Sequence, residues 1–149
     1  MQARDIMTKK VITLTPTMTV TETAHTLSQK RISGAPVLSD EGKMIGIVSE
    51  SDLIIQDVKL HFPTYIQLLD SYIYLGSLAK FEETLKKAVA VKVKDIMTAE
   101  VITISPEASL EDVATVIRKE HVSILPVTED NKVIGIITKR DIVRSLGRD

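Results

Sequence analysis

Several features are missing from this 149-residue sequence or scarce in it, and each absence excludes a class of protein. It has no cysteine, which excludes disulfide bonds and thiolate metal sites. Aromatic residues make up only 3%, so the core must be built from isoleucine, valine, leucine and methionine. The formal net charge is −1, which removes the main electrostatic reason for binding nucleic acid non-specifically.

The signals of export, membrane insertion and common catalytic sites are also absent. No apolar run approaches transmembrane length and the first residues form no signal peptide, so we expect a soluble cytoplasmic protein. The 6 glycines form no phosphate-cradling loop, and no serine or threonine stands in a nucleophile elbow. His25, His61 and His121 have no partners at metal-ligand spacing. We therefore expect neither a metal site nor an enzyme.

The sequence does contain a repeat. The Asp-Ile-Met-Thr of residues 5–8 recurs at 95–98, and the Gly-Ile-Val-Ser-Glu-Ser-Asp of 46–52 recurs in related form at 135–141. The offset falls from 90 to 89 after a predicted hairpin turn, where the loss of one residue costs little. A unit of roughly 50 residues buries so little surface that it would be only marginally stable by itself. We therefore expect the two copies to pack together.

Each repeat is predicted to run strand, helix, strand, strand, helix. In the first repeat a helix begins at the capping box Thr19-x-x-Glu22, with Val20, Ala24 and Leu27 on one face. A second helix begins at Ser49. The predicted first-repeat strands are 11–14, 35–38 and 44–48; in the second repeat the strands are 101–104, 125–128 and 133–137, and the helices are 109–120 and 140–146.

The segment 55–93 matches nothing in the second repeat. Its apolar spacing predicts an extension of the preceding helix, followed by helices at about 64–75 and 77–89. Every aromatic residue of the chain lies in it. The segment either adds core packing or forms an arm that covers a cleft or makes a dimer contact. The aromatic residues support the second alternative, because aromatic residues are enriched at interfaces.

A hydroxyl residue followed three positions later by aspartate ends the last strand of each repeat, as Ser49 with Asp52 and Thr138 with Asp141. This spacing is a variant of the capping box and, in one copy alone, is explained by helix capping. A helix N-terminus also presents unpaired N–H groups and partial positive charge, which can hold an anion such as phosphate. The duplication favours a binding role in addition to capping.

The ordered pattern DIMT, V-I-T-x-x-P, S-x-x-P-V and I-G-I-h-[ST]-x-x-D, with h apolar, resembles the cystathionine-β-synthase (CBS) domain. Two in tandem resemble the CBS pair called a Bateman module. The resemblance implies an α/β (α+β) fold of two β-α-β-β-α units packed sheet to sheet about a pseudo-two-fold axis. It places unit 1 at 1–54, a helical insert and linker at 55–93, and unit 2 at 94–149. Two clefts between such units commonly hold AMP, ADP, ATP or S-adenosylmethionine.

The resemblance also implies which residues bind. In each cleft the adenine lies against one unit, and the ribose hydroxyls meet the aspartate of the other. The residues implied for site 1 are Met7, Lys9, Ile32, Ser33, Gly34, Pro36, Thr138 and Asp141, to which Lys139 and Arg140 are added because of their charge. Those implied for site 2 are Ser49, Asp52, Met97, Ala99, Val122, Ser123, Ile124 and Pro126.

The charge between hydroxyl and aspartate differs between the two sites. Lys139 and Arg140 precede Asp141, whereas Glu50 stands in the copy that contains Asp52. Lysine and arginine attract phosphate and glutamate repels it. We predict that the Asp141 site is the stronger one for phosphorylated nucleotides and that the Asp52 site is empty, weak or suited to a less anionic ligand. Lys139 and Arg140 are alternatively solvated residues at a helix start.

A basic residue also precedes the adenine-side segment of each repeat, Arg31 in the first and His121 in the second. Each either touches a phosphate or is an ordinary surface residue.

These patterns favour a non-enzymatic adenine-nucleotide sensor that acts by a ligand-induced conformational change. The resemblance suggests a homodimer, and an effector protein is possible. The alternative is a structural interaction module with vestigial clefts that binds a partner through the insert. Turnover of a nucleotide is the weakest hypothesis, because no catalytic group of residues is recognisable.

Overall fold

A computed structural model of the chain describes residues 1–54 and 91–148. The helices predicted within the insert lie outside the described residues. The first repeat contains α1 (Ala3–Ile6), α2 (Val20–Lys30), β1 (Gly34–Leu38) and β2 (Met44–Ser49), after which a helix begins over 50–54. The second repeat contains α3 (Val93–Ile96), α4 (Leu110–Lys119), β3 (Ile124–Glu129), β4 (Lys132–Thr138) and α5 (Lys139–Leu146).

Each repeat forms an antiparallel hairpin, β1 with β2 and β3 with β4, as the sequence predicts. The second hairpin turns through Asp130 and Asn131, whose φ angles of 50° and 62° are left-handed. Two successive left-handed residues make the tight turn that best suits a twisted hairpin. The first hairpin uses a longer turn with Gly42 at φ 81°. The one-residue difference between the repeats therefore lies in this turn.

The first strand of each repeat is shorter than predicted. Only Leu14 of 11–14 and Ile104 of 101–104 join a sheet, each through a single parallel bridge. Leu14 makes two backbone hydrogen bonds of 2.9 Å to β1. The next donor in such a ladder would be residue 16 or 106, and both are prolines, which have no N–H group. The pairing therefore stops after one residue.

Helix α2 begins at the predicted capping box. The backbone N–H of Glu22 donates to Thr19 Oγ1 at 3.1 Å, and the N–H of Thr19 donates to Glu22 Oε2 at 3.2 Å. Its inner face was predicted incorrectly in part, because Leu27 is buried but Ala24 is exposed and Thr23 is fully buried. The Thr23 hydroxyl donates to the Thr19 carbonyl at 2.9 Å, so this polar group enters the core with its hydrogen bond made.

Each repeat places its first short helix, α1 or α3, in the core of the other repeat, and we call these two helices the leading turns. Ala3 and Ile6 of α1, at 0% and 6% exposure, lie in the hydrophobic core of the second repeat, together with Val113 and Ile117. Val93 of α3 lies in the core of the first repeat. Helix α1, at the start of the first repeat, thus completes the core of the second repeat. Neither repeat contains a complete core within its own stretch of chain.

Paired backbone hydrogen bonds show the pseudo-two-fold relation of the repeats. Thr8 and Ile136 exchange two hydrogen bonds of 2.8 and 3.0 Å, and Thr98 and Ile47 exchange two of 2.9 and 3.0 Å. Residues 8 and 98 occupy equivalent places in the repeat, as residues 47 and 136 do. The α/β (α+β) arrangement of two packed units is therefore as expected. No helix in the described part of the chain combines the length and the apolar content that a membrane crossing demands.

Candidate functional site

A cleft of about 760 Å³ lies between the two repeats. The first repeat contributes Ile32, Ser33 and Gly34, where β1 begins. The second repeat contributes Thr138 and Asp141, where β4 passes into α5. The cleft thus combines residues of both repeats, and its volume is typical of a small-molecule site.

Asp141 is held at this cleft by a complete capping box. Its Oδ2 accepts hydrogen bonds from the backbone N–H and from the hydroxyl of Thr138, both at 2.8 Å. The backbone N–H of Asp141 donates in return to Thr138 Oγ1 at 3.4 Å. Asp141 is only 5% exposed, and a buried carboxylate requires such partners. Capping therefore fixes both the position and the orientation of the carboxylate.

The second oxygen of the same carboxylate is held by Arg144. Its Nη2 donates to Asp141 Oδ1 at 2.7 Å, and its side chain, 53% exposed, lines the cleft. The sequence prediction did not include this residue, although arginine three positions after aspartate on a helix is a recognisable pairing signal. The equivalent position of the first repeat is Ile55 in the sequence. The two repeats therefore differ at this position.

The cleft is electropositive although the chain as a whole is not. Five basic and two acidic residues line it, for a formal charge of +3, whereas the chain carries −1. A concave site of one sign concentrates ions of the opposite sign. Such a cleft attracts anionic ligands. The charged residues are Lys10, Arg31, Glu50, Lys139, Arg140, Asp141 and Arg144.

Glu50 lies in a different place from the one the sequence suggested. It was expected beside Asp52, away from the Asp141 site, but it lines the Asp141 cleft. Its backbone N–H donates to the Ser33 carbonyl at 2.9 Å, which ties the start of its helix to the segment preceding β1. Glu50 therefore does not distinguish the two sites in the way the sequence implied. The positive charge of the Asp141 cleft remains when Glu50 is included.

Seven of the ten residues predicted for site 1 line the cleft: Ile32, Ser33, Gly34, Thr138, Lys139, Arg140 and Asp141. Thr8 and Lys10 line it in place of Met7 and Lys9. Met7 instead packs against Gly135 of β4 and the core of the second repeat, and Lys9 is exposed. Pro36, the remaining residue, is fully buried within the hairpin.

The residues implied for site 2 do not lie together. Asp52 repeats the capping geometry, because its Oδ2 accepts from the N–H of Ser49 at 2.8 Å and from the Ser49 hydroxyl at 3.2 Å. Ser123 and Ile124, however, line the Asp141 cleft. These two residues, predicted for the other site, thus contribute to the first.

The other four residues of predicted site 2 lie in varied surroundings. Met97 packs against Gly46 of β2. Val122 packs against the core of the second repeat and Pro126 is fully buried. Ala99 is exposed.

Gly34 is required where the two sheets meet. A Cβ atom there would lie 2.5 Å from the carbonyl oxygen of Val48 and 2.8 Å from Ile124 Cδ1. We expect Gly34→Ala to destabilise the fold by roughly 1–3 kcal/mol, the usual cost of overpacking, measured by urea unfolding. Gly147→Ala is the control, because a Cβ there meets nothing closer than 3.9 Å. Equal stability of the two variants would contradict this account of Gly34.

Within residues 1–54 and 91–148, no group of three or more histidine, aspartate or glutamate side chains is placed to hold a metal ion.

Comparison with known proteins matches the CBS domain model to residues 3–58 and 93–148. The protein MJ1426 of Methanocaldococcus jannaschii is 34% identical over 154 residues, covering 98% of this chain and 91% of MJ1426. Other relatives are longer, and this chain spans between 15% and 62% of their length.

Two similar solved structures contain adenosyl ligands. CBSX2, solved in complex with AMP, is 25% identical with a TM-score of 0.73, covering 97% of this chain and 95% of CBSX2. The CBS domain pair of MJ0100, solved with 5′-methylthioadenosine and S-adenosyl-L-methionine, is 25% identical with a TM-score of 0.71, covering 99% and 96%. The chain therefore belongs to the CBS domain family and carries the domain twice, as a tandem pair.

Proposed function

We propose that this chain is a non-enzymatic regulatory module that binds an adenosine-containing ligand in the Asp141 cleft. The supporting observation is a buried carboxylate at the junction of the repeats, inside a cleft of formal charge +3. A nucleotide suits both features, because its ribose diol donates to a carboxylate and its phosphate accepts from basic groups. The adenosyl ligands bound by CBSX2 and the MJ0100 pair add support.

The residues around the cleft divide into three groups of proposed contacts. Apolar side chains, including those of Val11, Ile12 and Ile32, take the adenine ring. Asp141 takes the ribose hydroxyls. The basic residues Lys10, Arg31, Lys139 and Arg140 take the phosphate. Asp52 and Ser49 stay a proposed second site for a less anionic ligand.

Regulation would arise because the ligand contacts both repeats at once. A ligand shifts a conformational equilibrium only through different affinities for the two states. A nucleotide held by Ile32 of one repeat and Asp141 of the other favours the state in which both residues contact it. A homodimer and an effector protein that reads this change remain part of the proposal.

Thermal unfolding with and without ligand tests the proposed function. Free nucleotide at about 100 times its dissociation constant stabilises the native state by about 2.7 kcal/mol. For a chain of this size we expect a rise in Tm of roughly 5–10 °C. AMP, ADP and ATP should act more strongly than S-adenosylmethionine, whose sulfonium is cationic, and added salt should weaken the difference. No shift with any of the four at millimolar concentration would contradict nucleotide binding.

An interaction module is the second candidate, and the exposed face of α5 favours it. Val143 and Leu146 on this helix are each 69% exposed. Exposed apolar groups on one helix face are a feature of protein-binding surfaces. This candidate predicts an unchanged Tm with every nucleotide, so the same measurement separates the two functions.

A further inference from the structure

The carboxylate of Asp141 has little capacity left for a ribose. A carboxylate offers about four acceptor positions, two on each oxygen. Two on Oδ2 are taken by Thr138 and one on Oδ1 is taken by Arg144. A ribose presents two neighbouring hydroxyl donors, so these bonds leave one acceptor position for two donors. Either the capping bonds or the Arg144 bond must give way when the diol binds.

Arg144 is the partner that can leave. The Thr138 bonds are part of the helix cap and come partly from the backbone, so breaking them would disturb the start of α5. Arg144 is held by its side chain alone, and half of that side chain is exposed. It also lines the cleft, so its guanidinium can turn away from Oδ1 and stay within the site.

A displaced Arg144 would enter surroundings that are already positive. Lys10, Arg31, Lys139 and Arg140 line the same cleft, and Glu50 is the acidic lining residue besides Asp141. An uncharged nucleoside would separate the Arg144 guanidinium from the Asp141 carboxylate and would supply no other anion. A nucleotide supplies a phosphate, which accepts two parallel hydrogen bonds from a guanidinium.

We propose that Arg144 is the specificity-determining residue of this cleft, excluding uncharged nucleosides by holding Asp141 and admitting nucleotides by transferring its guanidinium to their phosphate. The inference rests on the proposed function. Arg144 would discriminate in two ways. An uncharged nucleoside breaks the Arg144–Asp141 contact without replacing it, whereas a nucleotide replaces it with a contact to its phosphate. The Asp52 copy carries isoleucine at the equivalent position and lacks this device.

Calorimetric titration of the full chain with AMP and with adenosine tests the role of Arg144. Arg144→Met keeps an unbranched side chain and removes the charge. We expect it to tighten adenosine and to weaken AMP, so that the ratio of their dissociation constants changes by about tenfold or more, as expected for loss of one hydrogen bond to a charged group. Arg144→Lys, which keeps the charge without the fork, should restore part of the AMP preference.

Arg118→Met is the matched control, because Arg118 is exposed on α4 and is not among the residues that line the cleft. It should leave both dissociation constants unchanged. If Arg144→Met alters both ligands by the same factor, or alters neither, Arg144 does not set specificity although nucleotide binding stands. If the unaltered chain binds neither AMP nor adenosine, the proposed function fails and the role of Arg144 fails with it.

Discussion

Asp141→Ala is expected to weaken AMP binding by at least about a hundredfold, whereas Asp52→Ala should change it far less. The expected size follows from two charge-assisted hydrogen bonds to the ribose, each contributing roughly 1.5–3 kcal/mol. The asymmetry follows from the cleft of formal charge +3, which Asp141 lines and Asp52 does not. Calorimetric titration of both variants with AMP measures the difference directly.

Asp141→Ala also removes the cap of α5, so a control must separate the loss of a helix cap from the loss of ligand contacts. Asp112 supplies one, because its Oδ2 accepts from the N–H of Ser109 at 3.1 Å and from the Ser109 hydroxyl at 2.7 Å, at the start of α4. The hydrogen bond from the Ser109 hydroxyl also lowers the pKa of the Asp112 carboxyl. Asp112→Ala therefore removes an equivalent cap outside the cleft and should leave AMP binding intact. A larger loss from Asp52→Ala than from Asp141→Ala would reverse the proposed ranking of the sites.

Ile6→Ala is expected to lower the free energy of unfolding by roughly 2–5 kcal/mol, the usual range for truncating a buried isoleucine. Position 6 stands near the start of the sequence, in a region where the removal of residues is often tolerated. Its side chain, however, lies in the core of the second repeat, 6% exposed. Urea unfolding measures the loss. Val143→Ala, at a site 69% exposed, should stay within about 0.5 kcal/mol of the unaltered chain.

Double substitutions distinguish the exchanged packing from packing within one repeat. Ile6 and Ile117 share a core, whereas Leu27 belongs to the other core. The losses in free energy of unfolding from Ile6→Ala and Ile117→Ala should therefore deviate from additivity by about 0.5–3 kcal/mol. The losses from Ile6→Ala and Leu27→Ala should add within about 0.5 kcal/mol. Coupling of Ile6 to Leu27 instead of Ile117 would mean that the leading turn packs on its own repeat.

Local signals in the sequence were enough to predict the hairpins and the helix starts. The capping boxes at Thr19 and Thr138 form with the predicted partners, because these hydrogen bonds join residues three positions apart. The aligned repeats also indicated a paired fold. One local prediction failed at Ala24, because the i−4 hydrogen bond of Thr23 let a polar residue take the buried position.

The features that the sequence did not reveal depend on contacts between distant segments. The leading turn fits a core of the same construction in either repeat, so no local pattern shows which one it fills. The position of Glu50 follows from its bond to Ser33 across the first repeat. Arg144 lines the cleft because α5 faces it, and this orientation is a property of the assembled pair. The site could therefore be predicted in outline, and its charge distribution required the structure.

The reciprocal exchange of α1 and α3 has a consequence for how the molecule assembles. A chain that carried a single repeat would have to find a second copy, because each supplies the residues that seal the other's interior, and its folding would then depend on protein concentration. A covalent link between the two repeats makes their association intramolecular, so that it no longer depends on protein concentration. The joined molecule can thus reach its native state even at low protein concentration.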